Sequence, residues 1–407
     1  MEVIHERCCG LDVHKDTIVA CLIVPEGKAI RTFGTTTDQL LALCDWLAEH
    51  GCSHVAMEST GVYWKPVFNI LEASFEVIVV NAQHLKNVPG RKTDIQDAQW
   101  IAQLLQHGLL RPSFIPPAPQ RQLRELTRYR TTLVRERARV VNRLHKVLQD
   151  ANIKLSSVAS DIVGVSSRAI LEAILSGESS PEVLAELAKG KLRSKRPQLA
   201  KALEGFLQPH HRFLIEQLLC HVDFLDEAIE RVSDEIRRRL SPFEGKIELL
   251  LSIPGVSRRI AEVILAEVGA DMSRFPSSAH LASWAGICPG NNESGGKRKS
   301  GRTRKGSPWL RAALIQAAHA ASRSKGTYLC SQYHRIASRR GKKRALVAVA
   351  HSILVAVYHI LSRGETYREL GGDYFDRISP QTLQRRLVRR LENLGYKVSL
   401  EPVNKAA

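Results

Sequence analysis

The chain lacks the features that would place it outside the cytosol or give it a nucleotide-driven chemistry. Its 8 cysteines, Cys8, Cys9, Cys21, Cys44, Cys52, Cys220, Cys288 and Cys330, form no CxxC pair. That excludes the usual zinc spacing and a disulfide framework, and points to reduced, cytosolic thiols. The opening residues, MEVIHERCCG, have no basic region followed by an apolar run, so no signal peptide is expected. The longest apolar segment, Ala345 to Leu361, is broken by His351, Ser352 and His359; it falls short of a bilayer span and is predicted to be a buried helix. The N-terminal region has no glycine-rich phosphate loop, which argues against an ATPase even though actin-like folds share its strand pattern. Acids are also outnumbered: 41 Asp and Glu face 59 Lys and Arg, for a net charge of +18. A pI of about 9.7 calls for a polyanionic partner, nucleic acid before membrane.

What is present is unevenly distributed. The 407 residues suggest two or three domains. Residues 1–118 hold 9 basic and 13 acidic side chains, a net of −4, so the remainder carries +22. An acidic head suited to cations is joined to a basic body suited to phosphates. In the head, Gly10 to Val24 and Lys28 to Thr35 read as strands around a Pro25-Glu26-Gly27 turn. Helical spacing over Thr37 to His50 is followed by a short strand, His54 to Met57, that ends at Glu58. A helix from about Tyr63 to Ala73 and a strand from Phe75 to Val80 come next. In RKTDIQDAQW, Thr93 and Gln96 have the spacing of a capping box, so a helix is expected to begin there with Asp94 and Asp97 on one face. The alternation predicts a mixed sheet with helices on both faces. Asp12 in the first strand, Glu58 after a later one, and Asp94 with Asp97 on a closing helix match the ribonuclease H placement of carboxylates. Such a set can hold two hard cations roughly 4 Å apart for phosphoryl transfer. Each acid also has a plainer role open to it: Asp12 as a strand-end acid, Glu58 as a helix-capping residue, and the Asp94 pair as a favourable helix-dipole charge.

Pro112, Pro116, Pro117 and Pro119 mark a linker. Beyond it, Leu123, Leu126, Leu133, Val140, Leu144 and Val147 keep a spacing of 3 and 4, with Arg130 and Arg137 interrupting the seam. Leu218, Val222, Leu225, Ile229, Val232, Ile236 and Leu240 repeat it. Two long helices flanking a helical stretch (Asn152 to Gln208) predict an antiparallel hairpin or an oligomerisation arm. Arg121, Arg124, Arg128, Arg135, Arg139, Arg143 and Lys146 on the first helix suit either a solvated face or nucleic acid. In Leu249 to Gly269, two helices around a Pro-Gly-Val turn resemble a helix-hairpin-helix element, with Arg258 and Arg259 beside it, though an ordinary core hairpin has the same turn. Trp284 to Lys305 reads as a flexible phosphate-binding loop crowded with Lys297, Arg298, Lys299, Arg302, Arg304 and Lys305. No local base marks Ser294 or Ser300 as a nucleophile.

GLDVHK, MESTGVYW, KTDIQDA, IPGV, WAGICPGNNESGGKRKSGRTRKG, KKRALVAVAHSILVAVYHIL and ETYRELGGDYF, in that order, resemble the DEDD transposases of the insertion-sequence 110 family, also called bridge-RNA-guided recombinases. The resemblance is weakest over Asn152 to Gln208. It implies three parts: a RuvC-like head over 1–118, a helical coiled-coil linker over 119–240, and a mostly helical transposase domain over 241–407. It implies catalytic, Mg2+-binding (or Mn2+-binding) Asp12, Glu58, Asp94 and Asp97, and a nucleophilic serine in a Ser-Gly context. Ser294, followed by Gly295, fits that context best, with Ser300 next. It further implies a composite site shared by protomers of a dimer or tetramer, a structured noncoding guide RNA, donor and target DNA, and a prokaryotic, nucleoid-associated setting. A RuvC-like nuclease or junction resolvase using water, and a non-enzymatic nucleic-acid scaffold, remain the rival readings. ETYRELGGDYF has no chemistry that its residues reveal.

Overall fold

The structure, a computed structural model, describes residues 2–59, 61–81, 94–290, 292–378 and 380–401. The chain divides into two compact units, Met1–Pro116 and Pro117–Ala407, parted inside the proline linker.

The first unit is built on a five-stranded sheet of order β3-β2-β1-β4-β5. Its elements are β1 (Cys8–Val13), β2 (Thr17–Val24), β3 (Gly27–Gly34), α1 (Thr37–Glu49), β4 (His54–Glu58), α2 (Trp64–Leu71), β5 (Glu76–Val80) and α3 (Asp94–Gln106). The run expected as one strand from Gly10 to Val24 is in fact two antiparallel strands. The polar triplet His14-Lys15-Asp16 cannot continue a buried strand, and the chain reverses there, the amide of His14 donating to the Thr17 carbonyl at 2.9 Å. β3 pairs antiparallel with β2, whereas β4 and β5 run parallel to β1. This mixed sheet is consistent with a ribonuclease-H-like head.

Strand alternation sorts the two faces. Leu11, Val13, Val55 and Met57 pack with Leu43, Trp46 and Leu47 of α1 and with Val67, Phe68 and Leu71 of α2. On the opposite face, Cys8 and Ala56 meet Ile101 and Leu105 of α3, and Val19 and Cys21 meet Ala98 and Ala102. α3 lies directly on β1. A Cβ on Gly10 would sit 2.3 Å from the Ala102 nitrogen and 2.4 Å from the Ala98 oxygen, so only glycine permits that approach.

The second unit is mostly helical. α4 (Ala118–Asp150) is followed by four short helices, α5 (Leu155–Val158), α6 (Val165–Leu175), α7 (Pro181–Glu186) and α8 (Arg196–Leu203), and then by α9 (Pro209–Leu240). α4 and α9 run antiparallel: Leu144 and Leu148 share a core with Ile215 and Leu219, Leu133 and Val140 with Val222, Leu225 and Ile229, and Leu123 with Ile236 and Leu240. Both interruptions of the apolar seam are neutralised, Arg130 by Glu262 at 2.6 Å and Arg137 by Asp226. At the far end, buried His211 lies 3.0 Å from Asp150 and accepts from the Gln208 amide through Nδ1, so both ring nitrogens are used.

The remaining elements are α10 (Glu244–Leu251), α11 (Arg258–Val268), α12 (Ser278–Trp284), β6 (Asn292–Ser294), β7 (Lys297–Ser300), α13 (Pro308–Ala321), α14 (Tyr328–Arg340), α15 (Lys342–Arg363), α16 (Tyr374–Ile378) and α17 (Pro380–Glu392). α15 is longer than the segment expected from the sequence and, at 22 residues, is long and apolar enough by length and composition to cross a bilayer. Its apolar face is nonetheless spent on the core, where Leu346, Val349, Ile353, Leu354 and Val357 pack in a cluster with residues of α12 and α13. The stretch ETYRELGGDYF acts as a strap on α14. Glu369 accepts from the Tyr328 and Gly371 amides at 2.7 and 2.8 Å, and Tyr328 packs against Tyr374 and Phe375.

Candidate active site

The acidic site is assembled by the register of two strands and the seat of one helix. In the parallel pair β1 and β4, Leu11 stands opposite Met57, and one residue further along each strand come Asp12 and Glu58. Alternation puts both on the face that Gly10 and Ala56 turn toward α3. Because α3 rests on Gly10 without an intervening side chain, its first turn, carrying Asp94 and Asp97, lies over the same end of β1. The expected cap residue Thr93 lies outside the described residues.

His14, unremarked in the sequence, joins the group. Its Nε2 is 3.0 Å from Asp12 Oδ2 and 3.7 Å from Asp94 Oδ1, and one donor atom from each of these three residues falls within 4.8 Å of the others. The signal was its position two residues past Asp12, but that has meaning only once the chain is known to turn there. Burial raises the Asp12 carboxyl above its ordinary range; His14 pulls the other way, and the charges of Asp94 and Asp97 push it further up. A donor set of carboxylate oxygens that repel one another, with one imidazole beside them, suits a divalent cation. The residues present therefore fit the divalent cation that the fold implies.

The stretch expected as a flexible loop contains a β-ribbon. β6 and β7 pair antiparallel, with Ser294 opposite Lys297. Between them Gly295 and Gly296 have φ of +58° and +73°, the pair of positive values that a two-residue type I′ turn requires. Composition rich in glycine and charge reads as a loop; the Gly-Gly dipeptide between short alternating strands was the stronger signal. The ribbon's root is closed by backbone contact. A Cβ on Gly306 would lie 2.3 Å from the Ala285 oxygen, and one on Gly286 2.7 Å from the Arg304 oxygen. Arg311 clasps this root, donating to the Gly286 carbonyl at 3.2 Å and to Thr303 Oγ1 at 2.8 Å. Ser294 thus immediately precedes the turn, while Ser300 lies further back, paired with Asn292.

The candidate basic residues differ in their surroundings. Arg258 is held by Glu244 at 2.7 Å through both terminal nitrogens, whereas Arg259 is exposed. Gly255, in the turn between α10 and α11, faces inward: its Cβ would meet the Ala317 oxygen at 2.4 Å. Lys297, Arg302, Arg304 and Lys305 are exposed, and Arg298 and Lys299 belong to β7. Part of the arginine-rich face of α4 is internal. Arg128 grips buried Glu267 at 2.7 and 2.9 Å, Ser307 donates to the same carboxylate at 3.0 Å, and Arg124 donates to the Ala266 carbonyl at 3.1 Å.

Residues 9–153 match a family described as Transposase, of the DEDD insertion-sequence 110 type, and residues 247–335 match the family described as Transposase IS116/IS110/IS902. The first match includes Asp12, Glu58, Asp94 and Asp97, and the second includes the ribbon. The transposase for insertion sequence element IS1111A of Coxiella burnetii is 27% identical over 369 residues, 89% of this chain and 91% of that protein. A probable family 20 transposase of Pseudomonas aeruginosa is 25% identical over 77% of this chain and 85% of its own length. The pilin gene-inverting protein of Moraxella bovis is 22% identical over 88% of this chain and 96% of its own. With a DEDD match over the carboxylates, a second transposase match over the ribbon, and relatives aligned along most of its length, this chain belongs to the insertion-sequence 110 family of DEDD transposases.

Proposed function

We propose that this transposase cleaves and rejoins donor and target DNA through a covalent phosphoserine on Ser294, with a structured noncoding RNA choosing the sites. The observation that carries the reading is the convergence of Asp12 and Asp94 at the end of β1, joined by Glu58 and Asp97, in a chain that also sets a serine at the tip of an anchored basic ribbon. Asp12, Glu58, Asp94 and Asp97 would hold Mg2+ or Mn2+. When bound, such a cation stabilises the charge that builds on attacking and leaving oxygens in phosphoryl transfer.

In this reading the hydroxyl of Ser294 gives its proton to solvent as Oγ bonds to phosphorus, and the phosphate's bond to the leaving deoxyribose oxygen breaks, that oxygen taking up a proton from solvent to leave as a hydroxyl. The phosphodiester energy is kept in the new ester, so rejoining needs no further energy source. Lys297, across the ribbon from Ser294, and the exposed Arg302, Arg304 and Lys305 hold the phosphate backbone. The acids of one protomer act with the serine of another, which requires a dimer or tetramer. The α4–α9 pair serves as the coiled-coil oligomerisation arm, and the α10–α11 turn with Arg259 and Arg258 is the helix-hairpin-helix contact to phosphates. Base pairing to the RNA supplies sequence choice that these backbone contacts do not.

The acidic site alone would also support a RuvC-like nuclease or junction resolvase with water as nucleophile, so the serine is the point to test. Ser294→Ala should abolish cleavage and the protein–DNA adduct seen on denaturing gels, with Ser300→Ala retaining both. Retained cleavage by Ser294→Ala would decide for the water-using nuclease. RNA sequenced from the purified chain, expressed from its own locus, checks the guide: a discrete structured species from the element's flank is expected.

A further inference from the structure

From Ser294 to Gly364 the chain has 71 residues with 16 Lys and Arg and no Asp or Glu. At the chain-wide frequency of 41 acids in 407 residues, a stretch of that length would carry about seven. A merely solvated surface mixes both signs, so the absence of acids needs another cause. The densest cations in this stretch are not on the ribbon. They stand at the junction of α14 and α15, in the sequence Arg339-Arg340-Gly341-Lys342-Lys343-Arg344, where every residue is exposed.

Among the described residues none of these five cations forms an ion pair; Arg339 donates only to the Arg335 carbonyl of its own helix. Their placement is costly. Arg339 and Arg340 close α14 favourably, but Lys342, Lys343 and Arg344 fill the first turn of α15, where the helix dipole disfavours positive charge. Gly341, with φ +83°, offers no side chain to cap that turn. The arrangement is also stiff. Gly341 is the end of one helix and the start of the next, and Ala345 and Leu346, directly behind the cations, are buried in the core. Folding thus holds five positive charges on a fixed base at some expense of stability, as a surface kept for an anionic partner would be.

We infer that the α14–α15 junction is a docking platform for the phosphate backbone of duplex DNA, separate from the ribbon. The inference rests on the chain being a DNA-acting transposase. No aromatic side chain lies between Arg335 and Arg344 to stack an unpaired base. Exposed lysines and arginines suit phosphate oxygens, contacts that position a protein on duplex and carry no sequence information.

The test compares the full-length wild type with an R339Q/R340Q/K342Q/K343Q/R344Q variant, using fluorescence anisotropy on a random-sequence DNA duplex across a salt series. The slope of log K against log salt should become shallower by roughly 3 to 4, about 0.9 for each phosphate that is no longer neutralised. Thermal stability should hold or rise, because cations leave a helix N-terminus; a structural role would lower it. K342R/K343R/R344K should keep the wild-type slope. Should the quintuple variant melt early, K342Q/K343Q carries the test, with a slope shallower by about 2. A steep wild-type slope left unchanged by the substitutions overturns the platform alone, as does a change confined to single-stranded RNA. A wild-type slope near zero on DNA overturns the transposase reading beneath it as well.

Discussion

Asp12 is where stability and function oppose each other most directly. Its carboxyl is raised above the ordinary value of 3.8, chiefly by burial and then by Asp94 and Asp97 against the pull of His14. Between 3.8 and the raised value, the folded chain holds a proton that the unfolded chain has released. Stability therefore falls as pH rises through that window and stays low above it. Asp12→Asn should raise the melting temperature of the metal-free protein at pH 7, with the gain vanishing as pH drops below the ordinary aspartate range. The same substitution should abolish stabilisation by added Mg2+ and cut strand cleavage by at least about 100-fold, beyond the ~10–100-fold typical of losing a group that only orients a metal ligand. Melting curves in EDTA and in Mg2+, from pH 3 to 8, would show both effects. A lower melting temperature for Asp12→Asn in EDTA would mean that the carboxylate is a structural partner. The placement of Asp12, Glu58, Asp94 and Asp97 at strand ends and a helix start was legible, because strand alternation and the helix-start signal fix it. His14 was not, because its proximity to Asp94 depends on a turn hidden between two runs of strand-forming residues.

At the scale of elements, glycines fix how closely the functional segments sit. Gly10→Ala would drive a Cβ into the backbone of α3 at Ala98 and Ala102, and neither backbone atom can swing aside as a side chain would. The cost should reach or exceed the ~1–3 kcal/mol of ordinary overpacking, lowering both melting temperature and Mg2+ affinity; an unchanged melt would show that α3 can lift off β1 cheaply. Gly306→Ala should unseat the ribbon at its root, giving lost strand exchange with intact Mg2+ binding by the head, measurable by calorimetry. Glu262→Ala would strand buried Arg130 without its partner, at about 3–5 kcal/mol, and should be read out in denaturant unfolding. Periodicity foretold the long helices and their seam, since few arrangements other than paired helices produce a spacing of 3 and 4. It could not foretell that Arg124, Arg128 and Arg130 serve the interior, because that depends on Glu262 and Glu267, more than 130 residues away, reaching α4. The ribbon was hidden by its own composition, as glycine and charge together look like a loop until the turn geometry is known.

For the whole molecule, the proposed function has the division of charge separate holding DNA from cutting it. Residues 1–116 carry the same −4 as the 118-residue count, since Pro117 and Ala118 are uncharged, and the rest carries +22. In the proposed reading, attraction for a polyanion resides in the second unit, and the catalytic divalent cation is held by the acids of the first. Because counterion release depends on the cations that meet phosphate, chelating the metal should leave the salt slope of DNA binding unchanged. Affinity should shift by less than about tenfold, since charges beyond a Debye length of ~8 Å at physiological salt are largely screened. Cleavage and the protein–DNA adduct should disappear together. Anisotropy titrations with EDTA and with Mg2+, run beside denaturing gels of the same mixtures, would check this. If chelation instead flattened the salt slope, metal would be bridging the head to phosphate during binding itself. Capture and chemistry would then be one step, and the acids of the head would belong to recognition as much as to catalysis.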